Sequence, residues 1–375
     1  MGISSIDKNF DTTFFAPNDI EWLSVADFPS MVYGVEYCKE EKIYRRLPKS
    51  VADSVSAGVS LLSKHTAGGR IRFVTDSPYV AVRLEEPFDL PMSHMTIVGT
   101  YGVSVFVEGM FSGIIMPSYE QIRNADPAVN GTGTIIFDGI KYPYKTDGLY
   151  QTEIYLPLYS AVNEIFIGVK KGSTFEPAVA YKHKKPVLFY GSSITQGGCA
   201  SKPGDDYIGR ISRMLDTDFV NFGFSGNAKA EKVIAEYIAK QDPSVFVLDY
   251  DHNAPDADYL KKTHFALYKT IRAAHPATPI VIMTMPTIEG YELRDFNKQR
   301  RTEIIKSYEK AKNNGDKNVY FVDCYGCFGK LKNGECGTVD DCHPDSLGFL
   351  RMAERVYPIL NKLLNEEKQT CDMPV

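Results

Sequence analysis

A chain of 375 residues is longer than one ordinary domain of about 100–200 residues, so two units are expected, each with its own core. Hydrophobic residues make up 43% and charged residues 24%, the balance of a globular protein, and no apolar run reaches the roughly 18 residues that a membrane helix needs. The formal charge of −5 comes from interspersed residues with no basic stripe to meet phosphates, which argues against nucleic acid as a partner.

The N-terminal stretch Met1–Ile20 carries Asp7, Lys8 and Asp11 and lacks the apolar centre of a secretory signal. This predicts a cytoplasmic protein, or an exported one whose signal has been removed. From about Val32 to Val169 the pattern is short period-2 runs bounded by Gly, Pro and Asp: Arg70–Thr75, Tyr79–Leu84, Ser104–Val107, Thr134–Phe137, Thr152–Leu156 and Glu164–Val169. Short strands at close spacing predict an antiparallel β-sandwich or jelly roll, with a candidate helix over Ser50–Lys64. Edge strands of such a unit could pair across a homo-oligomer. The polar run Tyr181–Lys185 ahead of Pro186 places the boundary, giving 1–180 as the β-sandwich unit and 181–375 as a second unit.

In the second unit apolar runs alternate with amphipathic segments. The strands are expected at Pro186–Tyr190, Phe219–Phe222, Ser244–Tyr250, Pro279–Met285 and Val319–Val322. The helices are expected at Asp206–Leu215, Ala228–Ala239, Ala257–Ala274, Arg294–Asn313 and Ser346–Leu364. Continuous apolar strands alternating with helices describe an α/β unit, a five-stranded parallel sheet covered on both faces.

Ligands of such sheets bind beyond the carboxyl ends of the strands. The first strand is followed by Gly191-Ser192-Ser193, whose small residues allow a tight turn that presents a hydroxyl at the sheet edge. The second ends in Gly223-Phe224-Ser225-Gly226, and the third in Asp251-His252-Asn253. Near the C-terminus Asp340 precedes His343-Pro344 by three residues, close enough for the carboxylate to orient the imidazole. Each residue has an ordinary explanation alone: Ser193 as a helix cap, His343 as a surface histidine, Asn253 and Gly226 as turn formers. Together they supply a nucleophile, a base, an orienter and oxyanion donors, the parts that acyl transfer needs.

These four blocks, in this order, resemble those of the SGNH/GDSL hydrolases, and the likeness runs from about Pro186 to Leu364. The resemblance implies a flavodoxin-like three-layer α/β/α domain, with Ser193 as nucleophile, His343 as base and then acid, and Asp340 as orienter. It also implies the Ser193 and Gly226 N–H groups and the Asn253 side chain as oxyanion donors. Two positions depart from the family pattern: Ser192 stands where Asp is usual, and Asp251-His252-Asn253 lacks a leading Gly. Ala67–Phe73 and Gly102-Val103-Ser104-Val105-Phe106 resemble a β-sandwich domain that precedes some such hydrolases, the second segment departing from a Gly-x-Asp-Leu-Tyr signature at its last three positions.

The remaining candidates carry less. Asp341 competes with Asp340 as orienter, and His252 is either a substrate contact or packing. Of seven cysteines, Cys324, Cys327, Cys336 and Cys342 crowd together, but with one Cys-x-x-Cys pair the spacing suits free thiols better than a disulfide or zinc. Cys342 is expected to pack beneath the active site. His65, His94, His183, His264 and His275 have no metal-ligand spacing and are expected in solvated or core positions. The expectation is a serine esterase needing no metal or organic cofactor, acting on O-acyl and in the first instance acetyl esters of carbohydrate. The alternatives are a thioesterase or short-chain lipid esterase on the same triad, or a non-catalytic carbohydrate-binding protein.

Overall fold

A computed structural model describes residues 17–144, 148–290 and 295–371, with side chains as far as 365. Most of Met1–Ile20, and Arg294 at the start of one expected helix, lie outside the described residues. The N-terminal half folds as two antiparallel sheets. One has the strand order Ile20–Ser24, Glu164–Lys170, Val80–Pro87, Thr134–Lys141. The other runs Glu176–Pro177, Arg70–Thr75, Tyr150–Tyr155, Val103–Val107, Met110–Ile115, with Val32–Tyr33 also pairing with Arg70–Thr75. Their alternating inward residues, Val80, Val82 and Leu84 from one sheet and Ile71, Phe73, Val103 and Val105 from the other, fill a shared core.

The C-terminal half holds five parallel strands: β1 (His183–Gly191), β2 (Thr217–Gly223), β3 (Val245–Asp249), β4 (Ile280–Met283) and β5 (Val319–Val322), in the order β2-β1-β3-β4-β5. Both faces are buried, so the strands are apolar throughout rather than alternating. Val187, Phe189, Val245, Val247, Val281 and Met283 face helices Tyr207–Leu215 and Ser346–Cys371. Leu188, Tyr190, Phe246, Leu248, Ile280 and Ile282 face helices Lys232–Ile238, Ala257–Ala274 and Asp295–Asn313. The result is a three-layer α/β/α fold of flavodoxin-like order, and its switch point lies between β1 and β3, where the chain leaves β1. Among the described residues no helix is long and apolar enough to cross a membrane.

Two helices differ from expectation, both through distant contacts. The segment Ser50–Lys64 forms two short helices, Lys49–Val55 and Ala57–Leu62, divided at Ser56, which is extended and whose hydroxyl caps Val59 N–H. Leu47 just ahead of it and its own Ala52, Val59 and Leu62 pack into the core of the C-terminal half. The expected helix Ala228–Ala239 begins only at Lys232. Ahead of it Tyr190 Oη accepts the Ala230 N–H, and the Tyr250 and Tyr259 hydroxyls donate to the Lys229 carbonyl, so these groups are spent outside a helix.

Candidate active site

The turn after β1 is tight because two glycines allow it. A Cβ on Gly191 would lie 2.1 Å from Thr195 Oγ1 and 2.3 Å from the Asp249 carbonyl oxygen, and one on Gly223 would lie 2.2 Å from Gln196 N. The short helix Ser193–Gln196 thus sits directly on the ends of β1, β2 and β3. Ser192, the residue in place of the usual Asp, is its N-cap and accepts the Ile194 N–H through its hydroxyl at 3.2 Å. Ser193 is the first helical residue, whose N–H has no acceptor within the helix. Its carbonyl accepts from Gly197 N, Gly198 N and the Tyr159 hydroxyl, at 3.0, 2.8 and 3.2 Å, so the backbone on either side of the side chain is fixed.

The loop before the last helix brings His343 to this turn. His343 Nε2 lies 2.8 Å from Ser193 Oγ, and Nδ1 lies 2.8 Å from Asp340 Oδ2. Asp340 Oδ1 accepts the backbone N–H groups of His343 at 2.7 Å and Cys342 at 3.2 Å. Partial burial pushes the Asp340 carboxyl upward, but those N–H groups and the imidazole outweigh it and hold it below its ordinary value. An ionised Asp340 can only accept, so the proton of a neutral His343 sits on Nδ1 and the Nε2 lone pair faces the serine hydroxyl. Asp341 is exposed, in a left-handed conformation with φ 64°, and it is its neighbour Asp340 that accepts the hydrogen bond from the imidazole.

Gly226 lies in a turn at φ 68° with open space beside it. Asn253 meets that turn, its Oδ1 accepting the Ala228 N–H at 3.3 Å. Gln196 joins the parts: Oε1 accepts Ser225 N–H at 3.1 Å, while Nε2 donates to the Leu158 carbonyl at 3.1 Å and lies 3.3 Å from His65 Nδ1. His65 is buried, and burial pushes its pKa down to about 3, so the ring is neutral. None of these links from the N-terminal half was expected from sequence, where Tyr159 and Gln196 had no assigned role.

Behind the turn, Asp249 Oδ2 accepts from the Thr195 and Tyr207 hydroxyls at 2.8 and 3.0 Å. Asp251 Oδ2 accepts Met285 N–H at 2.7 Å and ties the end of β3 to that of β4. Burial, and then the Asp251 charge, pushes Asp249 up to about 7, and burial does the same to Asp251, also to about 7. A carboxyl raised from the ordinary value of about 4 keeps its proton in the native state after the unfolded chain has lost it. Its contribution is therefore complete below about pH 4 and is lost as pH rises through 7. The buried, neutral His65 and His252 rings pull the other way over the same range, so the test is the difference between two proteins: from about pH 5 to 7.5 the urea midpoint of Asp249→Asn should gain relative to that of the wild type. Equal slopes in the two proteins would remove Asp249 from the account.

His252 is mostly buried; its Nε2 has no hydrogen-bond partner and lies 3.9 Å from Asp251 Oδ1. Burial pushes the ring down to about 4. It lines a cavity of about 440 Å³ beside Asp340, together with Met285, Ile288, Phe296 and Phe328. Cys342 does not pack beneath the site as expected: it is exposed and opens on the same cavity, because the Asp340–His343 turn directs it outward. Cys324 and Cys327 are buried against each other after β5, Cys336 is exposed, and no disulfide joins cysteines among the described residues. His94, expected to be an ordinary solvated or core residue, instead leans over His343 with ring centroids 5.5 Å apart. No sequence spacing relates the two, since they come from opposite halves of the chain.

Residues 184–361 match the GDSL-like lipase/acylhydrolase family, and residues 20–175 match the N-terminus of SGNH-hydrolase-type esterases. No curated protein matches the chain. Among solved structures, a putative GDSL-like lipase from Bacteroides ovatus is 26% identical with a TM-score of 0.79, over 92% of this chain and 98% of its own. The salicylyl-acyltransferase SsfX3 of a tetracycline biosynthetic pathway is 19% identical, with a TM-score of 0.70 over 93% of this chain and 98% of its own. A family two carbohydrate esterase from Clostridium thermocellum, in complex with cellohexaose, is 16% identical, with a TM-score of 0.57 over 79% of this chain and 93% of its own. At these identities the last two likenesses are of fold alone.

Proposed function

Because residues 184–361 form a domain of the GDSL-like lipase/acylhydrolase family and the protein is a carboxylic ester hydrolase, we propose that it works through Ser193, His343 and Asp340 by way of an acyl-enzyme. The observation that carries this reading is the unbroken line of hydrogen bonds, 2.8 Å and 2.8 Å, from Ser193 Oγ through the imidazole to Asp340. Ser193 Oγ attacks the ester carbonyl as His343 Nε2 takes its proton, and the imidazolium is stabilised by Asp340. The imidazolium then protonates the leaving alkoxide, and water, activated by the same nitrogen, releases the acid.

The negative oxygen of the tetrahedral intermediate is met by the Ser193 and Gly226 N–H groups and the Asn253 carboxamide. With its Oδ1 held by Ala228 N–H, Asn253 is oriented in advance and pays no reorganisation during the reaction. Asn253→Ala is expected to lower kcat about 10²–10³-fold with little change in KM, measured as initial rates on a p-nitrophenyl ester. An equal loss confined to KM would assign Asn253 to substrate binding.

The substrate is proposed to be an acetyl ester of a carbohydrate, the N-terminal half forming one wall of the cleft. What supports this is the fold shared with a carbohydrate esterase that binds cellohexaose, together with the way Leu158 and Tyr159 reach the nucleophile turn. A second reading, a short-chain lipid ester, is favoured by the apolar wall of Met285, Ile288, Phe296 and Phe328 beside Asp340. A p-nitrophenyl series from acetate to octanoate, run beside acetylated oligosaccharides, separates them. A specificity constant that peaks at acetate and on the sugar supports the first, and one that climbs with chain length supports the second.

A further inference from the structure

Three side chains from three separate elements converge at the mouth of the site. His94 comes from the loop before the short helix Ile97–Tyr101, Cys199 from the loop after the nucleophile helix, and His343 from the loop before the last helix. One ligand atom from each lies within 4.8 Å of the other two. We propose that His94, Cys199 and His343 form a site for a zinc-class divalent ion whose binding shuts the esterase off.

Two imidazoles and a thiol are the donors that zinc and cobalt prefer, whereas magnesium and calcium require oxygen ligands. Donor atoms around a tetrahedral zinc stand roughly 3.3–3.6 Å apart, so side-chain rotation of about an ångström closes the set. Cys199 is buried and held by its loop, while the half-buried His94 supplies the adjustment. The hydrogen bond from His343 Nδ1–H to Asp340 also serves a metal, because it leaves the lone pair on Nε2, beside Ser193 Oγ, and strengthens it as a ligand. On binding, the Cys199 thiol releases its proton to solvent and the ion bonds to sulfur. Three protein ligands leave a fourth position for water or the Ser193 hydroxyl. A metal on Nε2 occupies the lone pair that would take the serine proton, so occupancy and turnover exclude each other. Inhibition rests on the reading of His343 as the base; binding does not.

The full-length protein is titrated with Co²⁺, following thiolate-to-cobalt absorption, and separately with Zn²⁺, following p-nitrophenyl acetate hydrolysis. The wild type should take up one equivalent and lose at least tenfold in rate, recovered by a chelator, with Mg²⁺ and Ca²⁺ inert. His94→Ala and Cys199→Ser should keep the metal-free rate and need at least tenfold more zinc for inhibition, and Cys199→Ser should lose the thiolate band. Ser193→Ala and Cys342→Ser should keep the band. An active wild type with no band, or a band that survives Cys199→Ser and disappears in Cys342→Ser, overturns the site. Should Cys199→Ser fail to fold, undiminished inhibition of His94→Ala does the same. A protein inactive on every ester whose band still depends on His94 and Cys199 keeps the metal site and loses the esterase reading instead.

Discussion

Ser193→Ala is expected to lower kcat/KM on p-nitrophenyl acetate by about 10⁴-fold or more, leaving a trace of catalysis from the oxyanion donors alone. The substitution removes one oxygen from a residue that is 8% exposed, and the turn around it is held by backbone bonds to Gly197, Gly198 and Tyr159 that alanine keeps. The fold should therefore be unchanged by circular dichroism and by the urea midpoint. A loss in rate then reports chemistry, not unfolding. A variant retaining a tenth or more of the wild-type rate would mean that another nucleophile does the work, and the acyl-enzyme scheme would have to be abandoned.

Arg70→Met is expected to cost about 3–5 kcal/mol of stability, the loss that follows removal of one partner from a buried charge pair. Arg70 is fully buried between the two halves of the chain. Its guanidinium pairs with Asp218 at the start of β2, stacks 3.7 Å above the centre of the Phe219 ring and donates to the Gly68 carbonyl at 2.6 Å. Its Nε also donates to the Tyr181 hydroxyl, which in turn donates to Glu153. Methionine fills much of the volume but strands Asp218, whose side chain is largely shielded from water, and leaves Glu153 to Arg72 and Tyr181. The single tryptophan, Trp22, lies in the N-terminal sheet, while most of the helix is in the C-terminal half. Urea unfolding followed by Trp22 fluorescence and by far-ultraviolet dichroism should give coincident curves in the wild type and separated ones in the variant. A shift under about 1 kcal/mol would show that the halves are held by apolar contact instead.

The parallel sheet was legible because strands buried on both faces are written as uninterrupted apolar runs, and Val245–Asp249 is such a run. The meeting of Ser193, Asp340 and His343 was legible because each follows a strand end or precedes the last helix, where this topology gathers side chains. What escaped was set by contacts far along the chain. Gly58 lies so close to Asn227 that a Cβ would fall 2.0 Å from its side-chain oxygen, and helical periodicity around Ser56 holds no sign of it. Met110–Ile115 was missed as a strand because Gly113, at φ 141°, interrupts the alternation. His94 carries no local signal at all; its place over His343 exists only once both halves are folded.

Arg46 and the segment behind it bear on how the chain is made. Arg46 donates to the Asn221 and Gly223 carbonyls at the end of β2, and Leu47, Ala52, Val59 and Leu62 complete a core whose other members are Leu188 to Val319. A ribosome delivers these residues long before the strands that cover them exist. Until β3 and β4 emerge, this apolar strip has nothing of its own chain to bind, and a nascent chain with such a strip is a natural client for a holdase chaperone. Closure of loops this long also carries a large entropy cost before any contact repays it, so folding should finish late and in one step. The two halves, separable by eye, would then mature as one object.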